Sequence, residues 1–566
     1  MKYSLLAEVY EKLENTSGKL EKTHIIASLL KETSKELLSK VVLLLNGSVF
    51  PSWSEEELGV AGQLMIKSIA KAYGISEKEI VKSFKKTGDL GLVVEIFSKS
   101  KKQTTLGVRE LLSTEKVFEN LQLIAKQTGG GSQDRKMNLI AELLAQAKPK
   151  EAKYVVRTAL GELRIGVAEG IIRNAIAEAF GVSSAIVENA WFLNPDYGEI
   201  ARIAKERGER GLENVKIEIG RPIMVLLAEK APSLEEAVNS FEKVALEYKY
   251  DGARMLIHKR DDKIIIFTRR LENITKAFPD VVEICKKGLR ARECIVDGEG
   301  LAIDKKTGKP LPFQMLSQRI KRKYDIGETA KGIPIELNLF DIIYLNGKAL
   351  FDLSLKERRD LLAKTVKEIP GKIQLAKQIV TKDLKKAEKF YKEALEAGHE
   401  GLIVKNLEAK YQPGRRVAGG WLKVKPVLES LDLVIKGAIW GTGKRAGWLG
   451  SYILACRDPN TGDFLECGMM GTGVKEKKTA PDDITFKDLT NILKPYIEFE
   501  KGNEVKIKPK VVIEVAYEEI QKSPTYSSGY ALRFPRLLRV RWDKGPEEAD
   551  DLERLEKIFK IQKGRK

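Results

Sequence analysis

Glu247-Tyr248-Lys249-Tyr250-Asp251-Gly252-Ala253-Arg254 is the stretch on which the reading of this chain turns. It follows the apolar Val244-Ala245-Leu246, and Asp251-Gly252 offers a tight turn. A lysine becomes a covalent nucleophile only when its pKa is lowered, by desolvation or by neighbouring cations. Lys249 has an apolar run before it and Arg254 after it. Alone, a Lys-x-Asp-Gly string is weak, because composition produces it by chance in many chains of this length. An isolated match is more simply a surface β-turn.

Further segments, in a consistent order, change that balance. Phe267-Thr268-Arg269-Arg270 places Arg269 at the end of an apolar strand, and Val296-Asp297-Gly298-Glu299 ends another with two carboxylates two residues apart. In an extended chain those two share a face. Leu339-Phe340-Asp341 sets a ring and an acid on a third strand, and Glu400-Gly401-Leu402-Ile403-Val404-Lys405 puts an acid beside a fourth. Trp421-Leu422-Lys423-Val424-Lys425 points two lysines to one side. Singly, each has a plain counterpart: a solvated turn acid, an exposed strand face, a core phenylalanine. Together they supply a nucleophile, cations for a phosphate chain, carboxylates for a divalent metal and a ring for a base.

Composition agrees. The 566 residues carry 99 Lys plus Arg against 80 Asp plus Glu, a formal charge of +19, which favours an anionic partner such as nucleic acid. At 43% hydrophobic the chain can bury several cores. No apolar run approaches a membrane span, and the N-terminus lacks the apolar core of a signal peptide. Cys285, Cys294, Cys456 and Cys467 form no Cys-x-x-Cys pair, which argues against a four-cysteine zinc module and fits a reducing cytoplasm.

The patterning divides the chain in three. The first part, 1–220, reads as all-α: Leu5, Val9 and Leu13 recur at helical spacing, Ile25, Ile26, Leu29 and Leu30 form a second stripe, and Val41 to Leu45 should be a buried helix. Gly129 to Ser132 reads as a loop, and the basic run Arg157 to Gly166 suits phosphate contact, though an ordinary solvated helical face explains it equally well. Residues 221–425 alternate β-type runs with helical patterns, an α+β domain. Residues 426–566 carry short strands punctuated by glycine turns, a small β-barrel with a helical tail. No internal repeat is present.

The ordered set resembles the covalent nucleotidyltransferases, and most closely the archaeal and eukaryotic replicative type of ATP-dependent DNA ligase. The resemblance spans the chain. Its most ligase-specific string is Leu532-Arg533-Phe534-Pro535-Arg536-Leu537-Leu538-Arg539-Val540-Arg541-Trp542-Asp543-Lys544. It implies a helical DNA-binding domain, an adenylation domain and an OB-fold barrel. It also implies that Lys249 attacks the α-phosphate of ATP, with Glu247 at the adenine and Phe340 stacked on it. Arg254 and Arg269 would reach ribose or phosphates, and Arg416 (or Arg415, since the loop to Trp421 is slightly long) would bind nucleotide. Glu299 would hold the ribose, and with Glu400 a Mg²⁺ (or Mn²⁺). Lys423 and Lys425 would neutralise the α-phosphate; Arg536 and Lys544 would orient the pyrophosphate.

The reaction implied is sealing of 5′-phosphate/3′-hydroxyl nicks in duplex DNA through lysyl-AMP and DNA-adenylate, in replication, repair and recombination. Phosphate contacts should make binding salt-sensitive and independent of sequence. A monomer with no membrane attachment is expected. The alternatives are an RNA ligase or capping-type guanylyltransferase, which the helical first part disfavours, and a non-catalytic nucleic-acid-binding protein. Gln103 to Leu106 faintly resembles a sliding-clamp peptide without its aromatic pair, and an ordinary loop explains it equally well.

Overall fold

The computed structural model describes residues 1–100, 111–311, 313–321, 332–414, 419–426, 429–480 and 483–562. The clamp-like stretch Gln103 to Leu106 and the arginines Arg415 and Arg416 lie outside them. The chain divides into two compact units, Met1–Ala394 with Gly401–Val424, and Leu395–Glu400 with Lys425–Lys566. No described helix is long and apolar enough to cross a membrane.

The first unit opens with helices, from Tyr3–Asn15 to Tyr197–Glu213, around one continuous apolar core. Val41, Val42, Leu44 and Leu45 are buried in the helix Lys35–Leu45, as their run predicts. The Leu5–Val9–Leu13 stripe is out of phase: Leu5 is 49% exposed, and the buried face is Tyr3, Leu6, Tyr10 and Leu13. Tyrosine carries that face because each ring can be buried; the Tyr10 hydroxyl donates to the Leu44 carbonyl at 3.0 Å. The Gly129–Ser132 stretch is a turn, with Gly131 left-handed (φ 69°) just before the helix Ser132–Gln146.

Arg157 corrects the phosphate reading of its run. Its guanidinium lies 2.9 Å from Glu14 and 2.7 Å from Asp89, and the side chain is buried. Lys153, equally buried, bonds Glu11 (2.6 Å) and Glu14 (2.8 Å). Burial opposes ionisation of Glu14, but hydrogen bonds from Arg157, Lys153 and Tyr154 bring its pKa down to about 2. A guanidinium enclosed by two carboxylates is a structural group, not a surface cation.

The rest of this unit is two sheets. Its strands are β1 (Glu229–Lys230), β2 (Val244–Tyr248), β3 (Ala253–Arg260), β4 (Lys263–Thr268), β5 (Glu293–Ala302), β6 (Ile335–Leu345), β7 (Lys348–Ala349), β8 (Ile373–Leu375), β9 (Gln378–Val380), β10 (Leu402–Asn406) and β11 (Trp421–Val424). One sheet runs β1-β11-β10-β2-β9; the other runs β4-β3-β5-β6-β7, with β8 beside β6. One apolar core joins Leu246, Leu402 and Val404 of the first sheet to Leu256, Ile295 and Ile343 of the second. A separate core lies around Met255, Val296, Leu339 and Phe278. Every residue of β2 is buried, including the charged Glu247.

The second unit is strand-rich and OB-fold-like. It contains β12 (Leu431–Trp440), β13 (Leu449–Arg457), β14 (Phe464–Met470), β15 (Ile497–Lys501), β16 (Glu504–Ile507), β17 (Val512–Ala516), β18 (Glu519–Lys522), β19 (Tyr530–Arg533) and β20 (Arg536–Val540). The main sheet runs β14-β13-β12-β16-β15, with β17 bridging β12 and β20, while β18 and β19 form a hairpin. The helix Leu552–Ile561 packs Leu555 and Ile558 into the barrel core. All four cysteines are free thiols and buried.

Candidate active site

Lys249 leaves the end of β2, and its backbone is held on both flanks. Its N–H donates to the Gly401 carbonyl at 2.8 Å. On either side Tyr248 and Tyr250 are buried, and both are fixed by Lys377: its ammonium donates to the Tyr248 hydroxyl (2.8 Å) and its backbone N–H to that of Tyr250 (2.9 Å). Asp251 is buried as well. Gly252 is required by close approach, since a Cβ there would sit 2.3 Å from the Gly300 carbonyl oxygen. The short spacing between Lys249 and Arg254 thus follows from the close passage from β2 in one sheet to β3 in the other.

Strand register sets the neighbouring side chains. Gln378, Glu247, Ile403 and Lys423 are successive cross-strand partners over β9, β2, β10 and β11. Directly opposed residues share a face, so these four form one row. The next row on the same face is Ala245, Lys405 and Trp421. Glu247 is buried; Gln378 donates to its Oε1 at 2.7 Å and the Lys405 ammonium lies 2.6 Å from its Oε2. Arg359 stands 3.9 Å from Oε1. Burial pushes the Lys405 pKa down, against the pull of Glu247 and Asp341.

Across from this row, Arg254 and Glu299 are register partners on β3 and β5, and Asp297 lies on the same face as Glu299, as their spacing predicts. Asp297 is fully buried and takes both arms of Arg254, at 2.9 Å and 2.5 Å, while Arg254 also donates to the Leu226 carbonyl at 2.7 Å. Burial works against the Arg254 charge, but Asp297 outweighs it and raises the pKa. Phe340 is the extra residue at a β-bulge opposite Asp297 and Gly298. The bulge turns its ring toward Trp421, edge-on at 5.7 Å, with the Arg254 guanidinium 5.5 Å and the Lys405 ammonium 4.7 Å from its centre. Arg269 is exposed in the turn after β4.

The remaining expected residues belong to the second unit. Lys425 lies 2.9 Å from Glu400 and 3.6 Å from Glu518, and beside them opens a cavity of about 440 Å³ lined also by His399, Arg533 and Ile558. Burial opposes the Lys425 charge, yet Glu400 and Glu518 keep its pKa above the ordinary value. Lys544 bonds Asp432 at 2.7 Å, as does Arg541 at 2.8 Å. Arg536 is exposed on β20, in a segment that also presents Phe534 (66% exposed) and Trp542 (71%).

Sequence reasoning missed the partners: Gln378, Arg359 and Lys377 carry no local signal, and Asp297 and Lys405 stood in quoted strings without a role. No cluster of three His, Cys, Asp or Glu able to hold a metal occurs among the described residues. Glu299 lies in the first unit and Glu400 in the second. A cleft of about 520 Å³ around Lys243, Val380 and Leu407 touches this site only through Arg359 and Gln378 and does not include Lys249.

Comparison with known proteins follows the same division. Residues 2–177 match the family model for the DNA ligase N terminus, 225–425 that for the ATP dependent DNA ligase domain, and 445–544 that for the ATP dependent DNA ligase C terminal region. The chain is 50% identical to the DNA ligase of Nanoarchaeum equitans over 100% of its own length and 99% of the relative's. It is 47% identical to that of Thermococcus onnurineus, over 99% of this chain and 98% of the other. The solved structure of Pmar-Lig_Pre. shares the fold with a TM-score of 0.57 at 17% identity, over 95% of this chain and 99% of that one. The chain belongs to the ATP-dependent DNA ligases, enzymes that use ATP to seal nicks in DNA.

Proposed function

We propose that Lys249 is the residue that carries AMP between ATP and the nick. The observation that carries this reading is the fixed backbone at Lys249, tied to Gly401 and flanked by two anchored tyrosines at the end of a buried strand. A nucleophile held there needs no loop ordering before in-line attack. Its Nζ attacks the α-phosphorus of ATP, the P–O bond to pyrophosphate breaks, and lysyl-AMP forms. The DNA 5′-phosphate then takes the AMP, and the 3′-hydroxyl displaces it to close the backbone.

The other residues serve that sequence by charge and position. Glu247 and Phe340 contact the base. Arg254, oriented by Asp297, with Arg269 and Arg416, reaches ribose and phosphates. Lys423 and Lys425 offset α-phosphate charge, and Arg536 and Lys544 orient pyrophosphate, for which Lys544 must exchange Asp432 for the leaving group. Mg²⁺ or Mn²⁺, held by Glu299 and Glu400, would screen phosphate charge when bound. The helical part holds the duplex, and the enzyme acts in replication, repair and recombination as a cytoplasmic monomer, a compartment consistent with its free buried thiols. Clamp binding through Gln103 and Leu106 is kept only if Gln103→Ala with Leu106→Ala abolishes it. The overall reading is tested by sealing of a labelled nicked duplex with ATP, ADP, GTP or NAD, DNA and RNA strands compared. ATP- and metal-dependent sealing of DNA is expected; sealing that needs neither would overturn the reading.

A further inference from the structure

We infer that Lys405 and Gln378 are positioning residues that pin the Glu247 carboxylate so that it reads the 6-amino group of adenine. The inference rests on the Lys249 reading above and assigns base selection to a buried group of side chains that phosphoryl transfer does not use.

Both oxygens of Glu247 are engaged, Oε1 by Gln378 at 2.7 Å and Oε2 by Lys405 at 2.6 Å. Glu247 is 2% exposed and Lys405 1%. A lysine buried this deeply costs stability unless paired, and such a pair seldom stabilises a fold better than apolar side chains would. Its position indicates another use. Lys405 lies in the row of Ala245 and Trp421, two residues farther along the same face than Glu247 and Lys423, while Lys249 continues β2 in the opposite direction. It therefore sits away from the phosphate end. Its ammonium is 4.7 Å from the centre of Phe340 and 4.1 Å from that of Trp421, so the cation that fixes Glu247 also lies against the ring proposed to stack on the base.

The chemistry of discrimination follows. A carboxylate offers about four lone-pair sites, so Glu247 can accept from Gln378, stay ion-paired with Lys405 and still accept from a 6-amino N–H. Guanine presents a 6-oxo acceptor at that point, which the carboxylate repels. Without Lys405, Glu247 is free to turn, and the 6-oxo group is no longer rejected. A site built around a substrate N–H discriminates strongly against analogues lacking it, and that discrimination depends on the acceptor being held in place.

The test is the rate of lysyl-nucleotide formation over a concentration series of ATP, GTP and purine riboside triphosphate, which lacks the 6-amino group. Wild type is compared with Lys405→Met, Lys405→Arg and Gln378→Leu, each checked for an unchanged circular dichroism spectrum. Lys405→Met should raise the half-saturating ATP concentration by about tenfold or more, with a much smaller fall in the saturating rate. Its preference for ATP over purine riboside triphosphate should shrink by a similar factor. Lys405→Arg should recover part of that preference, and Gln378→Leu should lose about threefold. Unchanged preference in Lys405→Met and Gln378→Leu, or a saturating rate that falls while preference stays, would overturn the inference. If Lys405→Met does not fold, Gln378→Leu alone decides. A wild-type chain that forms no adduct with ATP contradicts the Lys249 reading instead.

Discussion

Two stretches that carry the family resemblance, the Lys249 segment and the Leu532–Lys544 segment, occupy opposite environments. Around Lys249 the backbone is tied to Gly401, Tyr248 and Tyr250 are buried, and the neighbouring charges are matched within 3 Å, Glu247 by Lys405 and Arg254 by Asp297. In the C-terminal segment Arg536 is exposed, Phe534 and Trp542 are 66% and 71% exposed, and Phe534 holds a strained left-handed backbone (φ 50°). One region is finished within its own unit. The other presents apolar and cationic groups to solvent, the pattern of a surface that completes itself on a partner. Side chains enclosed as in the first region hold one geometry, while those exposed as in the second are free to meet a partner.

The largest expected effect lies in the finished region. Lys249→Ala should lower sealing with ATP by about 10³-fold or more, because no other group replaces the nucleophile. A quenched-flow assay showing only a modest loss would erase the distinction between the regions.

Next come charges buried by design. Arg157→Met leaves Glu14 and Asp89 facing each other without their shared cation, and should cost roughly 3–5 kcal/mol in urea unfolding. A loss confined to DNA affinity would restore the phosphate-contact reading of that run.

A smaller effect comes from His258, fully buried, with Nδ1 accepting from the Gly220 N–H at 3.2 Å. Burial lowers its pKa from 6.5 to about 3. Above the unfolded value the ring is neutral in both states and its contribution is complete. As the pH falls, the unfolded chain takes up a proton that the folded chain cannot, and stability drains away toward the folded pKa. Between pH 7 and 5 this should remove about 2 kcal/mol from the first unit. His258→Gln should flatten that part of the profile; an identical slope would assign it to the carboxylates instead.

The smallest effect falls on the exposed strip. Phe534→Ala and Trp542→Ala should leave thermal unfolding within about 0.5 kcal/mol of wild type while lowering sealing of nicked duplex roughly tenfold. Lost stability together with intact sealing would mean that the strip is core rather than contact surface.

Much of this was legible in the sequence, for physical reasons. Ile264–Phe267, Leu402–Val404 and Leu431–Ile435 are strands because β-branched runs of that length fit a sheet buried on both faces. The place of Lys249 just past a strand end was legible because the apolar run before it and the close-approach Gly252 lie within a few residues of it. Arg157 was misread because the acids that enclose it lie 143 and 68 residues away, beyond any local pattern. The helix Tyr3–Asn15 was legible from the Leu5, Val9, Leu13 spacing, but its buried face was not, because two of its members are tyrosines. The clasp on Glu247 was invisible for a similar reason: Gln378 is 131 residues distant and meets it only through strand register.

The central claim, that Lys249 is the residue adenylylated, is tested most directly by digesting the protein after incubation with ATP and Mg²⁺ and locating AMP by peptide mass spectrometry. The account predicts a single modified peptide, with AMP on Lys249, released by added pyrophosphate and absent from Lys249→Ala. AMP on any other residue, or an adduct that persists in Lys249→Ala, would contradict it.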